Sequence, residues 1–337
     1  MKRISRILVI ADPAMRHSPA LRHGRELARK SGAALELCLF DHDQLIERTA
    51  DLVSSGVMQL AREQFEQQRI QWLASEAATM AEDGLQVDCD FVWAPQLYEA
   101  VIAKCLESQP DLVIKDAPVK NPPARDRSYG ADRKLFRYCP APLMLVHPTT
   151  PDLPSHVIAA VDVSPKPDNK AALNEAILQT GLSYAYLTGS DAHLAHSFPF
   201  DRPTVVTSIE LRHLHDQVRH EDVERFKRFA SSQAVPEDRC HVLDGAPSAA
   251  LPELVGKLQA SLLVLGAAYR SAFDRFILGS TVEQLIANPP CDLLVVRPEG
   301  FMAELEKHLD LEGIRRRYQV RSVPTEPAPR DEQAADA

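Results

Sequence analysis

The stretch 266–280, GAAYRSAFDRFILGS, follows the apolar run 261–265 (SLLVL) and has the make-up of a loop that holds a phosphate. A glycine at a strand end lets a phosphate oxygen reach the backbone amides, and the start of the next helix adds partial positive charge. In that arrangement Gly266 and Gly279 would present amides and Ser280 a hydroxyl to the phosphate oxygens. The same residues have a purely structural use. Ser280 followed by Glu283 is the pattern of a capping box at the start of a helix over 282–287, and the two glycines can simply turn the chain. Loose glycine patterns are frequent without a ligand, so spacing alone leaves both readings open.

A second set of candidate ligands is rich in histidine. His193, His196, His213, His215 and His220 gather around one helix-patterned segment, where His213, Asp216, His220 and Glu224 recur at helical spacing opposite Leu211, Leu214 and Val218. One helix face could offer these donors to a metal ion. No compact ligand signature accompanies them, so a solvated helix face is expected and no metal is assigned. The basic run 315–317 (RRR) likewise suits a helix end, where positive charge complements the dipole.

Parallel sheets bind ligands beyond the carboxyl ends of their strands, so the elements that carry these residues decide what they can do. Short strands rich in branched residues alternate with helical patterns along the chain, which predicts an α/β fold with crossover helices. The pattern also repeats. ILVIADP (7–13) matches VIAAVDV (157–163), PDLVIKD (110–116) matches ASLLVLG (260–266), and PAPLMLVHP (140–148) matches PCDLLVVRP (290–298), all at an offset of 150 residues. Three landmarks at one ungapped offset predict duplication of one unit, with Asp12 and Asp162 ending equivalent strands.

Residues 1–150 and 151–300 are therefore expected to be two tandem, doubly wound, five-stranded parallel-sheet domains. Residues 301–337 are expected to be a helix (303–318) and a polar, proline-rich tail that does not fold alone. A long helix in each unit, near 54–81 and near 209–230, is expected to bury one apolar face. Val57, Leu60, Phe65, Trp72, Leu73 and Met80 supply it in the first, and Leu211, Leu214, Val218, Phe226 and Phe229 in the second.

Composition narrows the partners. A chain of 337 residues suits two domains, and 45% hydrophobic with 25% charged residues suits a soluble globular protein. A net charge of −9 gives no electrostatic reason to expect nucleic acid or an anionic membrane surface. The apolar run 7–11 is too short for a secretory core and no run is long enough to span a bilayer, so a cytoplasmic protein is expected. The 6 cysteines form no close pair in sequence, and several lie in apolar runs, which predicts reduced, buried thiols.

Residues 265–298 (LGAAYRSAFDRFILGSTVEQLIANPPCDLLVVRP) resemble the carboxyl-terminal signature of the universal stress protein family. That signature is a glycine, two residues, a glycine, nine residues, a glycine, then serine or threonine, a helix and a proline-flanked last strand. AAVDVSP (159–165) resembles the family's first strand with its terminal aspartate, and LDGAPSAALPEL (243–254) its turn into the third helix. The resemblance spans residues 4–298 and is nearest to the tandem members of the E type, whose first unit also has a lysine-ended strand like DLVIK (111–115).

The resemblance implies the family's adenine nucleotide alpha hydrolase-like fold and an ATP-type ligand wherever the glycine pattern is intact. It places Gly266, Gly279, Ser280 and Thr281 at phosphate positions and Asp162 beside the nucleoside, with Arg270 retained near the phosphates. Tyr269 replaces the second glycine and crowds the triphosphate, so the site is expected to be weakened. In the first unit Asp116 stands in the place of Gly266, Val119 in that of Tyr269, and Tyr129-Gly130 in that of Gly279-Ser280. A carboxylate there repels phosphate, so one site at most is expected, in the second unit, and Asp12 is expected to serve a turn or cap. Family architecture further implies that the strands at 143–147 and 293–297 pair across the units. The chain would then be its own pseudo-dimer, a monomer before a homodimer.

Three functions follow: a stress-induced protein that binds a nucleotide without turning it over, a slow nucleotide hydrolase, and a carrier or scaffold for a non-phosphate, lipid-like ligand. The chain has no nucleophile elbow and no P-loop, since Gly256-Lys257 is followed by Leu258, which weighs against an enzyme.

Overall fold

The structure, a computed structural model, describes residues 4–49, 54–118, 128–165, 170–200, 209–267, 279–318 and 320–323. The first half runs β1 (Arg6–Ile10), α1 (Pro19–Ser31), β2 (Ala34–Asp41), a short α2 (Gln44–Arg48), α3 (Ser55–Ala81), β3 (Val87–Trp93), α4 (Leu97–Ser108), β4 (Leu112–Asp116), α5 (Ser128–Tyr138) and β5 (Leu143–Val146). The second runs β6 (His156–Val161), α6 (Lys170–Thr188), β7 (Asp191–Phe198), α7 (Ile209–Ser232), β8 (Cys240–Asp244), α8 (Pro247–Leu258), β9 (Leu262–Gly266), α9 (Ser280–Ala287) and β10 (Asp292–Val296). Then come α10 (Phe301–His308), α11 (Leu311–Arg317) and β11 (Arg321–Val323).

All the strands join in an 11-stranded sheet, ordered β11-β3-β2-β1-β4-β5-β10-β9-β6-β7-β8. The parallel order β3-β2-β1-β4-β5 recurs as β8-β7-β6-β9-β10. The two runs meet where β5 and β10 pair antiparallel, Leu293 opposite Leu145, Leu294 opposite Met144 and Val295 opposite Leu143. The pairing that the family resemblance implies is thus present, and it merges both sheets into one. Strands buried on both faces read as unbroken apolar runs, which is why LMLV and DLLVV recur at the same place in each half.

Helices cover both faces. On one, α1, α3, α6 and α7 pack over a core that includes Val9, Leu37, Leu73, Phe91, Leu194 and Phe226. On the other, α4, α5, α8 and α9 pack over Leu8, Val101, Phe136, Leu251, Leu285 and Leu293. Among the described residues no helix is long and apolar enough to cross a membrane. All six cysteines are free, and all but Cys240 are buried.

Three expectations are corrected. The apolar faces of the long helices are buried only in part: Leu73, Met80 and Phe226 lie in the core, whereas Val57 and Leu60 are each 56% exposed and Leu211 and Leu214 54% and 55%. Length explains this, because the 27 residues of α3 extend about 40 Å, beyond any strand of the sheet. The helix expected over 303–318 breaks in two at Leu309, and Asp310 caps α11 by accepting the Gly313 N–H at 2.9 Å. Residues beyond it are not all tail. α10 and α11 pack back onto Ile102 and Ala103 of α4, and β11 pairs antiparallel with β3 and so covers that edge of the sheet, while the rest of the expected tail, 324–337, lies outside the described residues.

Two groups of polar side chains are buried in this frame. In the first half the Lys104 ammonium lies 2.7 Å from Glu36 and 2.6 Å from Asp90, with Glu107 at 3.4 Å. At the junction of the halves His23 of α1 is hydrogen-bonded through Nε2 to the Tyr184 hydroxyl of α6, and its Nδ1 faces Asp292 of β10 at 3.6 Å. Asp292 also accepts the His147 N–H at 2.7 Å and the Thr150 hydroxyl. Burial holds His23 down to about 4 and pushes Asp292 up to about 7, which keeps both groups neutral between those pH values.

Candidate functional site

The strand order reverses between β6 and β9, since β6 is followed by β7 on one side and β9 by β10 on the other. A crevice opens outside the carboxyl ends of such a pair. Asp162 directly follows β6, Gly266 ends β9, and α9, which links two parallel strands, starts at that same edge. The fold therefore brings Asp162, Gly266, Gly279, Ser280 and Thr281 to one end of the sheet. Arg270 and Tyr269 lie outside the described residues, as does Val119.

Asp162 is exposed and held in a turn. Its Oδ1 accepts the Ser164 N–H at 3.0 Å and the Ser164 hydroxyl. The buried Asn174 of α6 fixes its backbone, accepting the Asp162 N–H at 3.1 Å and donating to the Asp162 carbonyl at 2.9 Å. Asp12 makes the equivalent turn, with Oδ1 accepting the Ala14 N–H at 2.9 Å and Oδ2 taking Arg16 at 2.6 Å. The turn role expected of Asp12 is what the structure has. Asn174 carries no sequence signal of its own, because its partners are main-chain atoms of another element.

Gly266 is required by close approach and not by a turn. Its backbone is not left-handed, and a Cβ there would lie 2.8 Å from Ile177 Cδ1 and 2.9 Å from Leu173 Cγ and Cδ2. Helix α6 sits directly on the strand end. Gly266→Val should therefore lower stability by about 1–3 kcal/mol through overpacking, measured by urea unfolding, and Leu173→Ala in the same chain should return part of the loss. A valine tolerated without cost would remove this account of the glycine.

The corresponding place in the first half is filled. Asp116 ends β4, and its Oδ1 accepts the Ala20 N–H of α1 at 2.8 Å. Ser18 caps the same helix, while burial raises the Asp116 carboxyl above its ordinary range. The first turn of α1, where an anion would sit, thus holds the chain's own acid.

At the other wall of the crevice the capping box is absent. Gly279 is the N-cap of α9 and Ser280 its first residue, and no side chain caps the turn. The Glu283 N–H reaches the Gly279 carbonyl at 3.0 Å. The Glu283 carboxylate does not turn back toward the cap because two arginines of α5 take it, Arg133 at 3.1 Å and Arg137 at 3.3 Å. Ser280 is left exposed at the start of the helix.

The histidine-rich face does not converge. His213 and His220 are exposed on α7, Glu224 is engaged by Lys227 at 3.0 Å, and His215 by Asp216 at 3.2 Å. His196 is buried against Asp222 at 2.6 Å. Among the described residues no group of three donors is placed to hold a metal ion.

Residues 154–297 match the universal stress protein family. Over 306 residues the chain is 27% identical to universal stress protein E of Salmonella typhi, a match that covers 89% of this chain and 96% of that protein. It is 24% identical to the universal stress protein E homolog of Haemophilus influenzae, covering 87% and 97%. A crystal structure of a functionally unknown Pseudomonas aeruginosa protein is similar over 90% of this chain and 96% of its own, with a TM-score of 0.67 at 21% identity. A universal stress protein from Archaeoglobus fulgidus follows over 88% and 99%, with a TM-score of 0.53 at 13% identity. At these identities the solved structures establish the fold alone. Residues 154–297 thus carry the universal stress protein domain, and along nearly its whole length the chain is similar to the E-type proteins and shares the universal stress protein fold.

Proposed function

We propose that the protein is a tandem, cytoplasmic stress-response protein, with residues 1–150 and 151–300 as its two units. It binds one ATP-type nucleotide, in the second unit, and does so as a regulatory ligand and not as a substrate. Asp162 would face the nucleoside, and Gly266, Gly279, Ser280 and Thr281 the phosphates, with Arg270 offsetting their charge. The observation that carries this reading is the contrast between the halves. Asp116 closes the first with a carboxylate at the start of α1, while in the second a glycine brings no charge to the strand end and the start of α9 carries no side-chain cap, which suits an anion.

The test is calorimetric titration with ATP. Asp162→Ala and Ser280→Ala should each weaken binding about tenfold, the loss of roughly one charge-assisted hydrogen bond, and Asp12→Ala should leave it unchanged. Equal effects of the Asp162 and Asp12 changes would overturn the assignment. A second reading, a carrier for a lipid-like ligand, is favoured by the hydrocarbon of Leu173 and Ile177 at the strand end. Mass spectrometry of whatever co-purifies separates the two: ATP supports the first, an acyl compound the second, and a nucleotide diphosphate points to turnover.

A further inference from the structure

The peptide that joins Val161 to Asp162 is held at both ends by buried side chains. Asn174 of α6 takes its N–H, and the Val161 carbonyl accepts a hydrogen bond from His196 Nδ1 at 3.1 Å. His196 lies on β7, opposite Val161 in the sheet, and is 2% exposed. Its other ring nitrogen, Nε2, stands 2.6 Å from Asp222 Oδ2 of α7. A carbonyl and a carboxylate can only accept, so both ring nitrogens donate. Phe226 of α7 stacks on the imidazole with ring centroids 5.7 Å apart. The ring is thus fixed in its plane by two hydrogen bonds and on its face by an aromatic side chain. Asp222 is buried as well, and Arg225 bonds its other oxygen at 2.9 Å. A fully partnered polar network of this kind is rigid. It runs from Arg225 and Asp222 on α7, through His196, to the residue before Asp162.

The first half is built differently at this place. Ile10 stands opposite Cys38 as Ala160 stands opposite Ala195, so the next residue, Leu39, holds the position of His196. Leu39 is buried in the core and has no hydrogen to donate. The Asp12 carbonyl closes on its own turn, accepting the Met15 N–H at 2.8 Å, whereas the Asp162 carbonyl is bonded by Asn174. The side-chain turns of Asp12 and Asp162 are alike, but a link through Leu39 to the long helix is chemically impossible.

We propose that His196 and Asp222 are positioning residues for the ligand of the second half, coupling the seating of α7 to the main chain that presents Asp162. The proposal rests on the reading that Asp162 faces the nucleoside. A carboxylate gives its full bond strength to a ligand only when its backbone is already in place, because ordering it on binding costs affinity. His196 supplies that order from within the core, and Asp222 holds His196 to the helix. Coupling of this kind is reciprocal. Ligand at Asp162 therefore steadies α7, and a break between Asp222 and His196 is felt at Asp162, although both residues are buried.

The full-length chain is compared with two variants. His196→Leu installs the residue of the first half and leaves Asp222 paired with Arg225. His196→Asn keeps an amide that can donate to the Val161 carbonyl from the place of Nδ1. Amide hydrogen exchange without ligand reads the turn directly. In His196→Leu the Asp162 and Ser164 amides should exchange about tenfold faster, the worth of roughly one hydrogen bond, while the Ala14 amide of the first-half turn keeps its rate. His196→Asn should restore most of that protection. ATP titration should show about tenfold weaker binding in His196→Leu and in Asp222→Asn, and ATP should slow exchange around Asp222 in the unchanged chain but not in His196→Leu. Unaltered exchange at Asp162 and Ser164 in a folded His196→Leu chain would overturn the proposal, as would full ATP affinity in that chain. If the unchanged chain takes up no ATP, the functional reading fails, and the exchange rates alone then decide whether His196 holds the turn.

Discussion

Lys104→Met should lower stability by about 3–5 kcal/mol at neutral pH, because it leaves two carboxylates in the core without their cation. The Lys104 side chain is 4% exposed, and those of Glu36 and Asp90 are 8% and 6% exposed. One oxygen of Glu36 already lacks a hydrogen-bond partner. In the variant both carboxyls would titrate above their unfolded values. A group shifted in that direction contributes stability that is complete below its unfolded pKa and lost as pH rises through the folded one. The deficit should therefore shrink as pH falls toward about 4, and the triple change Glu36→Gln, Asp90→Asn, Lys104→Met should recover much of it. Urea unfolding at both pH values measures this. A pH-independent loss below about 1 kcal/mol, the size of an exposed ion pair, would show that these charges are not buried together.

The second large effect is hidden in the unchanged protein. His23 and Asp292 are both neutral when folded, with His23 held down to about 4 and Asp292 pushed up to about 7. Unfolded, between about pH 4 and 6.5, the histidine carries a proton and the aspartate does not. Folding moves one proton within the pair and changes the total bound by nothing, so the pair gives no slope of stability against pH in that window.

Single changes should expose the two opposed halves of this balance. Asp292→Asn leaves His23, whose lowered pKa contributes stability present above about 6.5 and lost as pH falls through about 4. His23→Gln leaves Asp292, whose raised pKa contributes stability present below about 4 and lost as pH rises through about 7. The slopes should amount from end to end to about 3 kcal/mol for His23 and about 4 kcal/mol for Asp292, in opposite directions. Asp152, which Arg22 holds at 3.1 Å, acts on both groups and shifts both in the same sense, so it does not disturb the comparison. Slopes of the same sign in the two variants would contradict the neutral junction.

The recurrence of one strand order was legible in sequence because parallel strands buried on both faces must be apolar, and the chain writes them at one offset. Asp12 and Asp162 were legible as equivalents for the same reason, each ending its strand in a turn. What escaped depends on contacts between distant segments. The pattern at Ser280 and Glu283 suits a capping box, but Arg133 and Arg137 from the other half draw Glu283 away. Gly266 looks like a turn glycine until α6 lays Leu173 and Ile177 on it. Asp116 was readable as an acid hostile to phosphate, but its bond to the first turn of α1 was not. His23, Tyr184 and Asp292 stand in three segments with no motif among them, and only the closing of the sheet at β5 and β10 brings them together.

The central claim is that two halves of like strand order differ in the charge at one strand end, a carboxylate that takes the place of an anion in the first and an uncharged glycine in the second. The most direct measurement is the stoichiometry of ATP bound to the ligand-free chain at saturation. One nucleotide per chain, lost when Ser280 and Asp162 are changed and kept when Asp12 is changed, is the expected result. Two equivalent nucleotides per chain, or a single one that depends on the first half, would contradict it.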